Sequence, residues 1–344
     1  MRTSITKRIG RASVIPTLLT FLFCLPAFAA AQAVTLPERD TTGTQTIRKM
    51  PREIGSVRFL GDSTILYVSG DDLYLSPLCD DGSELVFRGH SGSIHDCKAL
   101  PDGRRIVTAS ADGTLRLWDS RTGGCLAVSE RLDTISQPFW TMLNEIVLGP
   151  DGRRLMTSDM DGLKVWSSDD LRLLSKEDTD YFYMTTGLIS PDWKTVSAPV
   201  PESYVDCAVF DLGSGDVLLY LDSRYPLCYS PDGRRVLAAN METGAMEIYD
   251  INPKASQGRV SGVRVSNSRI PLTAAAFSPD GRILASASEG GIIYLRDSED
   301  GSEKARMQWE GYSIDGLCFD TKGERLLAYD TEARAYCIWS ISFQ

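Results

Sequence analysis

Beyond about residue 44 the apolar residues fall in short runs separated by turn-forming residues. Ala274, Ala276 and Phe277, for example, precede the phrase Ser278-Pro279-Asp280-Gly281-Arg282, and Ile283-Leu284-Ala285 follow it. Proline presets φ for the first corner of a turn, aspartate bonds back to the backbone, and glycine accepts positive φ. An apolar run, this phrase and a second apolar run therefore predict a hairpin of two short strands.

The phrase recurs along the chain. It stands at Leu100-Pro101-Asp102-Gly103-Arg104-Arg105, Gly149-Pro150-Asp151-Gly152-Arg153-Arg154 and Ser230-Pro231-Asp232-Gly233-Arg234-Arg235. Ser190-Pro191-Asp192-Trp193-Lys194 is a variant with Trp in place of Gly, and Leu60-Gly61-Asp62 and Asp320-Thr321-Lys322-Gly323 are degenerate copies. From Gly61 through Pro101, Pro150, Pro191, Pro231, Pro279 and Thr321 the steps are 40, 49, 41, 40, 48 and 42 residues. A third strand follows each hairpin, ending at Leu117-Trp118-Asp119, Val165-Trp166-Ser167, Val209-Phe210-Asp211, Ile248-Tyr249-Asp250, Leu295-Arg296-Asp297 and Ile338-Trp339-Ser340. A further strand such as Leu126-Ala127-Val128 leads to the next unit. Four short strands per repeat of about 40–45 residues predict an all-β chain folded as one β-propeller of four-stranded antiparallel blades. The copies number seven. The last unit ends just after its third strand, so Thr44-Gln45-Thr46-Ile47-Arg48 is expected to supply its outer strand and close the ring.

Gly89-His90, Pro101-Asp102-Gly103, Ala109-Ser110-Ala111-Asp112-Gly113 and Leu117-Trp118-Asp119 together resemble a full WD40 repeat. The resemblance spans roughly residues 44–344 and is sharpest in the second blade. It implies a hydrogen-bonded tetrad of His90, Ser110, Asp112 and Trp118, which satisfies buried polar groups that need partners. The other blades lack Gly-His. The family resemblance also implies a non-catalytic protein- or peptide-binding scaffold. A looser likeness to propeller-type quinone-dependent dehydrogenase subunits, lactonases and lyases leaves an enzyme or enzyme subunit as the alternative, with a small-ligand or glycan sensor as the third reading.

The N-terminus reads as an address. Arg2, Lys7, Arg8 and Arg11 make a basic start, an apolar stretch runs from Val14 to Phe28, and Ala29-Ala30-Ala31-Gln32-Ala33 follow. This is the pattern of a cleaved signal peptide over 1–33, with export to the periplasm or beyond. Pro16 and Pro26 bracket an apolar run shorter than a membrane span. Phe23 precedes Cys24, so a lipidated cysteine is not expected. The domain plan is then 1–33 signal peptide, 34–50 donor segment and 51–344 propeller.

Composition narrows the function. Lys and Arg total 36 against 46 acids, a formal charge of −10. Removing the four basic residues of the signal leaves 32 against 46, or −14. Neither nucleic acid nor an anionic membrane surface suits such a chain. Seven cysteines follow the signal without C-x-x-C spacing, and the chain has only two histidines, His90 and His95. No catalytic, cofactor-binding or metal-binding set emerges. Asp159-Met160-Asp161-Gly162 lacks the remaining ligands of a calcium loop and reads as a hairpin turn. His95 reads as a satisfied strand or surface residue. The pairs Arg104-Arg105, Arg153-Arg154 and Arg234-Arg235 read as solvated turn charge.

The segments joining an outer strand to the next inner strand open on one face. They and the long hairpin of the fourth blade supply the expected partner-binding residues Phe139, Trp140, Tyr181, Tyr183, Tyr204, Tyr225, Arg269 and Tyr312. Aromatics and arginine dominate protein-binding hot spots. The competing reading makes them plugs packed between blades.

Overall fold

A computed structural model describes residues 45–78, 83–131, 146–159, 162–177, 188–200, 206–240, 243–251, 262–266, 272–288 and 290–341. The expected signal peptide therefore lies outside the described residues. Among them no helix is long and apolar enough to cross a membrane. Every described strand lies within Arg39–Gln344.

These strands form seven four-stranded antiparallel sheets. Blades 1 to 6 occupy 56–87, 94–128, 146–177, 188–220, 224–266 and 272–308, each with its strands in sequence order. The seventh consists of Gly316–Phe319, Arg325–Asp330 and Ala335–Ser340, with Gln45–Lys49 as its outer strand. Gln45 pairs with Trp339 and Lys49 with Ala335. The first and last parts of the propeller thus share one sheet, one residue further along than the expected 44–48.

Middle strands are buried on both faces: Ile106, Val107, Thr108, Ala109 and Ser110 are consecutive and all buried. The apolar core is accordingly a set of seams between blades, with one cluster for each pair of neighbours. Leu66, Val68, Leu73 and Phe87 of blade 1 meet Ile94, Cys97, Ile106 and Trp118 of blade 2. Met50, Ile54, Val57, Ile65 and Tyr67 meet Leu327, Tyr336 and Ile338 of blade 7. Near the axis, buried Asp96 of blade 2 accepts Arg58 of blade 1 at 3.2 Å and the Ile146 amide of blade 3 at 2.9 Å.

The repeated phrase sits where expected, between the first and second strands. Gly61, Gly103, Gly152, Gly233, Gly281 and Gly323 have φ of 67, 64, 65, 71, 72 and 73°, and Trp193 holds the same conformation at 60°. The second arginine of two of these pairs, Arg105 and Arg235, departs from the solvated-charge expectation, whereas Arg154 stays half exposed. Arg105 donates to Ser168 O and Asp169 Oδ1 of the next blade, both at 3.0 Å. Arg235 donates to Ser298 O and Oγ at 3.0 Å and to Gly281 O at 2.7 Å. Arg325 reaches Asp62 O at 2.8 Å, from blade 7 to blade 1, and Arg154 stacks over Trp193 of blade 4 at 5.4 Å. These side chains start a second strand beside the seam, so their length spans it. Among the described residues no two cysteines are joined in a disulfide. Cys97, Cys207 and Cys337 are buried, and burial pushes the Cys97 and Cys207 thiols up to about 11. Cys125, in an outer strand, is exposed instead.

Arg235→Ala is expected to lower stability by about 1.5–3 kcal/mol, the range for hydrogen bonds made by a charged group. Arg234→Ala, one residue earlier and exposed, should change it by less than about 0.5 kcal/mol. Urea melts of the two variants make the comparison.

Candidate functional site

The residues of the expected tetrad meet in blade 2 with one substitution of role. His90 Nδ1 lies 2.8 Å from Asp112 Oδ2, and His90 Nε2 lies 2.7 Å from Thr108 Oγ1. Trp118 Nε1 donates to the same Thr108 oxygen at 2.9 Å. The hydroxyl between histidine and tryptophan is therefore Thr108, not Ser110. Ser110 Oγ instead donates to Gly92 O at 2.7 Å and accepts the Asp112 amide at 3.1 Å. The reason is register. Trp118 pairs with Ile106, and the residue two further along on the same sheet face is Thr108; Ser110 lies two residues further still, beside the loop. Gly92 is required there, because a Cβ would approach the Asp112 amide to 2.8 Å.

The chain of bonds has one direction. The Trp118 N–H donates to Thr108, the Thr108 O–H donates to a neutral His90 Nε2, and the Nδ1–H donates to Asp112. Asp112 also accepts the Ser91 amide at 3.0 Å, the Thr114 amide at 2.9 Å and the Thr114 hydroxyl at 2.6 Å. Burial disfavours its charge, but these donors outweigh that and hold the carboxyl down at about 2. For His90 burial wins over the attraction of Asp112, so its pKa lies below the ordinary 6.5.

The sequence carries a signal for Thr108 that the motif comparison passes over. Five residues after the turn glycine stand Thr108, Thr157 and Ser286 in blades 2, 3 and 6. In these blades the third strand presents an N–H donor to that hydroxyl: Trp118, Trp166 at 2.9 Å and Arg296 at 3.0 Å. Blades 4, 5 and 7 have Ala198, Ala238 and Ala328 at this register. Blade 4 places Phe210, with no polar atom, on the third strand, while in blade 5 the Tyr249 hydroxyl turns to Glu247. Arg224 joins that carboxylate at 3.0 Å and Arg264 at 3.6 Å. Blade 1 puts Tyr67 at the position, bonded to Glu84 at 2.5 Å and receiving Arg52 at 2.7 Å.

His95 occupies the inner strand of blade 2 at a register shift between Ile94 and Asp96. It is a strand residue as expected, but not a satisfied one: its Nε2 is buried without a partner, and burial lowers its pKa. Among the described residues no group of three His, Cys, Asp or Glu is placed to hold a metal. Asp159 pairs with Gly162 across a hairpin end.

Of the loop-face residues, Phe139, Trp140, Tyr181, Tyr183, Tyr204 and Arg269 lie outside the described residues. Tyr225 is not in a connecting loop; it is the second residue of blade 5's inner strand, opposite Ala239 and 38% exposed. Tyr312 stacks on buried Trp309 at 4.2 Å and packs against the seam between blades 6 and 7. It is a plug between blades.

A model of the WD domain, G-beta repeat, matches residues 82–119 and 261–297. The first match contains His90, Thr108, Asp112 and Trp118; the second contains Ser286 and Arg296. These matches support the WD40 repeat family. WD40 relatives include human WD repeat-containing protein 36, 36% identical over 31% of this chain and 12% of its own length. Eukaryotic translation initiation factor 3 subunit I of Aspergillus fumigatus is 30% identical over 30% of this chain and 29% of its own. Telomerase Cajal body protein 1 of Mesocricetus auratus is 24% identical over 76% of this chain and 46% of its own length. The chain thus covers less than half of each of these relatives. Among solved structures, the β-propeller domain of Myceliophteria thermophila Cps50 (Swd1) is 15% identical with a TM-score of 0.63, covering 88% of this chain and 99% of that one.

Thr108→Val removes the shared acceptor and donor while keeping the shape, leaving Trp118 N–H and His90 Nε2 unpaired. It should cost on the order of 1–3 kcal/mol per stranded group, and Ser110→Ala should cost less. Thermal melts of both variants distinguish Thr108 from Ser110 as the network's hydroxyl.

The same network sets a pH response. Because the native state keeps His90 neutral, the unfolded chain binds more protons just below pH 6.5, and stability falls as pH drops through that value. Asp112 contributes stability above its unfolded pKa, near 3.9, and that contribution is lost as pH falls toward about 2. His90→Gln is expected to shrink the upper window, leaving the share that buried His95 contributes there, and to leave the lower one. Melting temperatures taken between about pH 7 and pH 2 test both.

Proposed function

We propose that the chain is exported through a cleaved N-terminal signal peptide and serves, without catalysis, as a scaffold binding a protein or peptide on the face where the connecting segments open. The observation that carries this reading is Tyr225, a large aromatic 38% exposed at the start of an inner strand. Inner strands surround the axis, so Tyr225 stands at the mouth of the channel on the connecting-segment side. An aromatic left in water there offers a partner large apolar area with few rotors to freeze. The segments leading into blades 3, 4 and 6 add Phe139, Trp140, Tyr181, Tyr183 and Arg269, and the hairpin of blade 4 adds Tyr204. Tyr312 leaves this set. The relative named as a subunit of translation initiation factor 3 supports a scaffold role by analogy, since a subunit is held by other chains.

The basic start, the apolar stretch and the small residues before Val34 support export. N-terminal sequencing of the envelope fraction should begin near Val34, or at Ala30 or Gln32; an intact Met1 overturns export. Crosslinked affinity purification from the native envelope tests the scaffold role. Tyr225→Ala combined with Trp140→Ala should reduce recovery of the crosslinked partner by at least about tenfold, about 1.4 kcal/mol. Leu174→Ala, which removes an exposed apolar group from an outer strand, should leave recovery unchanged. Equal losses in the two would remove the binding site from the mouth.

A further inference from the structure

The opposite face of the ring carries its own chemistry. The turns between first and second strands all lie there, near the axis, because the inner strands adjoin one another around it. The turns of blades 2, 3, 5 and 6 each spend an aspartate oxygen on their own backbone. Asp102 Oδ1 accepts the Arg104 amide at 2.8 Å, Asp151 the Arg153 amide at 2.9 Å, Asp232 the Arg234 amide at 3.1 Å and Asp280 the Arg282 amide at 3.0 Å. Of the following arginines, Arg105 and Arg235 are taken up at the seams and Arg154 stacks over Trp193. Arg104, Arg153, Arg234 and Arg282 remain exposed, and among the described residues their guanidinium groups make no ion pair or hydrogen bond.

These arginines stand on turns that touch. A Cβ at Gly152 would lie 3.1 Å from Pro101, one at Gly281 3.5 Å from Pro231, and one at Gly233 2.6 Å from Asp192. Blades 2 and 3 therefore place two free guanidinium groups on adjoining turns, and blades 5 and 6 place two more. Between the pairs lies the turn of blade 4 with Trp193. An L-residue at φ of 60° is strained where the neighbouring turns use glycine, and the Trp193 Nε1 is buried without a partner.

We propose that this turn face is a second docking surface, for a short acidic polypeptide segment whose carboxylates pair with Arg104, Arg153, Arg234 and Arg282. Guanidinium groups pair with carboxylates in bidentate fashion and lose little by desolvation when they do so. The rest of the molecule argues for a short peptide over a long polyanion. The net charge is −10, and Asp170, Asp216, Glu299 and Asp300 lie in the outer turns of the same face, so charge beyond the inner ring is repelled. This site is independent of the mouth, at the other ends of the strands.

The test uses the purified full chain and a fluorescein-labelled dodecapeptide of Glu, Asp and Ser, followed by fluorescence anisotropy. Saturable binding that weakens between about 50 and 200 mM salt is expected. Arg104→Glu with Arg153→Glu, and Arg234→Glu with Arg282→Glu, should each weaken it at least about tenfold without lowering the melting temperature. Lys49→Glu with Arg131→Glu changes net charge equally away from the inner turns and should weaken it less than about twofold. Absence of saturable binding, equal loss in the control pair, or tighter binding of an oligonucleotide or phosphatidylserine vesicles overturns the proposal. A failed purification at the connecting-segment face leaves this titration unaffected, and the reverse holds as well.

Discussion

Everything in this molecule depends on the apolar seams between blades. A blade whose middle strands are buried on both faces, as at Ile106 to Ser110, cannot hide its side chains by itself. It needs a neighbour on each side, and only a closed ring gives every blade two. The pairing of Gln45–Lys49 with Ala335–Ser340 therefore joins two ends of the propeller and also completes the last pair of seams. Apolar burial is non-directional, so it holds the blades together without fixing their rotation.

Directional bonds supply that orientation, and the chain divides them by location. Within blades, hydroxyls meet donors from the third strand: Thr108 with Trp118, Thr157 with Trp166, Ser286 with Arg296. Where the donor is missing, as with Phe210, alanine fills the facing position. An unmatched buried hydroxyl beside Phe210 would cost more than a matched pair gains, which accounts for Ala198 in blade 4; blade 7 differs, with Trp339 on the third strand and Ala328 at the hydroxyl position. Between blades, arginines at the start of second strands cross the seam to backbone carbonyls that the next turn leaves open.

Such a frame leaves two faces with different character. At the mouth, aromatic surface is available through Tyr225, while Tyr312 is consumed by packing on Trp309. On the turn face, Arg105 and Arg235 go to the seam while their neighbours Arg104 and Arg234 stay in water. Two adjacent residues of the same type thus serve opposite ends, because alternate side chains along an extended backbone point opposite ways.

The repeat spacing, the Pro-Asp-Gly turns and the third-strand endings were enough to determine seven four-stranded blades and closure by the N-terminal strand, since these are local signals repeated many times. Placement of Gln45–Lys49 one residue along from the reading differs only at the boundary. The site was legible in part: Gly89-His90, Asp112 and Trp118 were evident, but the hydroxyl between them was Thr108, decided by cross-strand register rather than by proximity in the motif. Tyr225 and Tyr312 looked alike in sequence, as did Arg104 and Arg105. Only the tertiary structure separated them, because whether a side chain meets water or a neighbouring blade depends on where the seam falls, and the seam is built from residues distant along the chain.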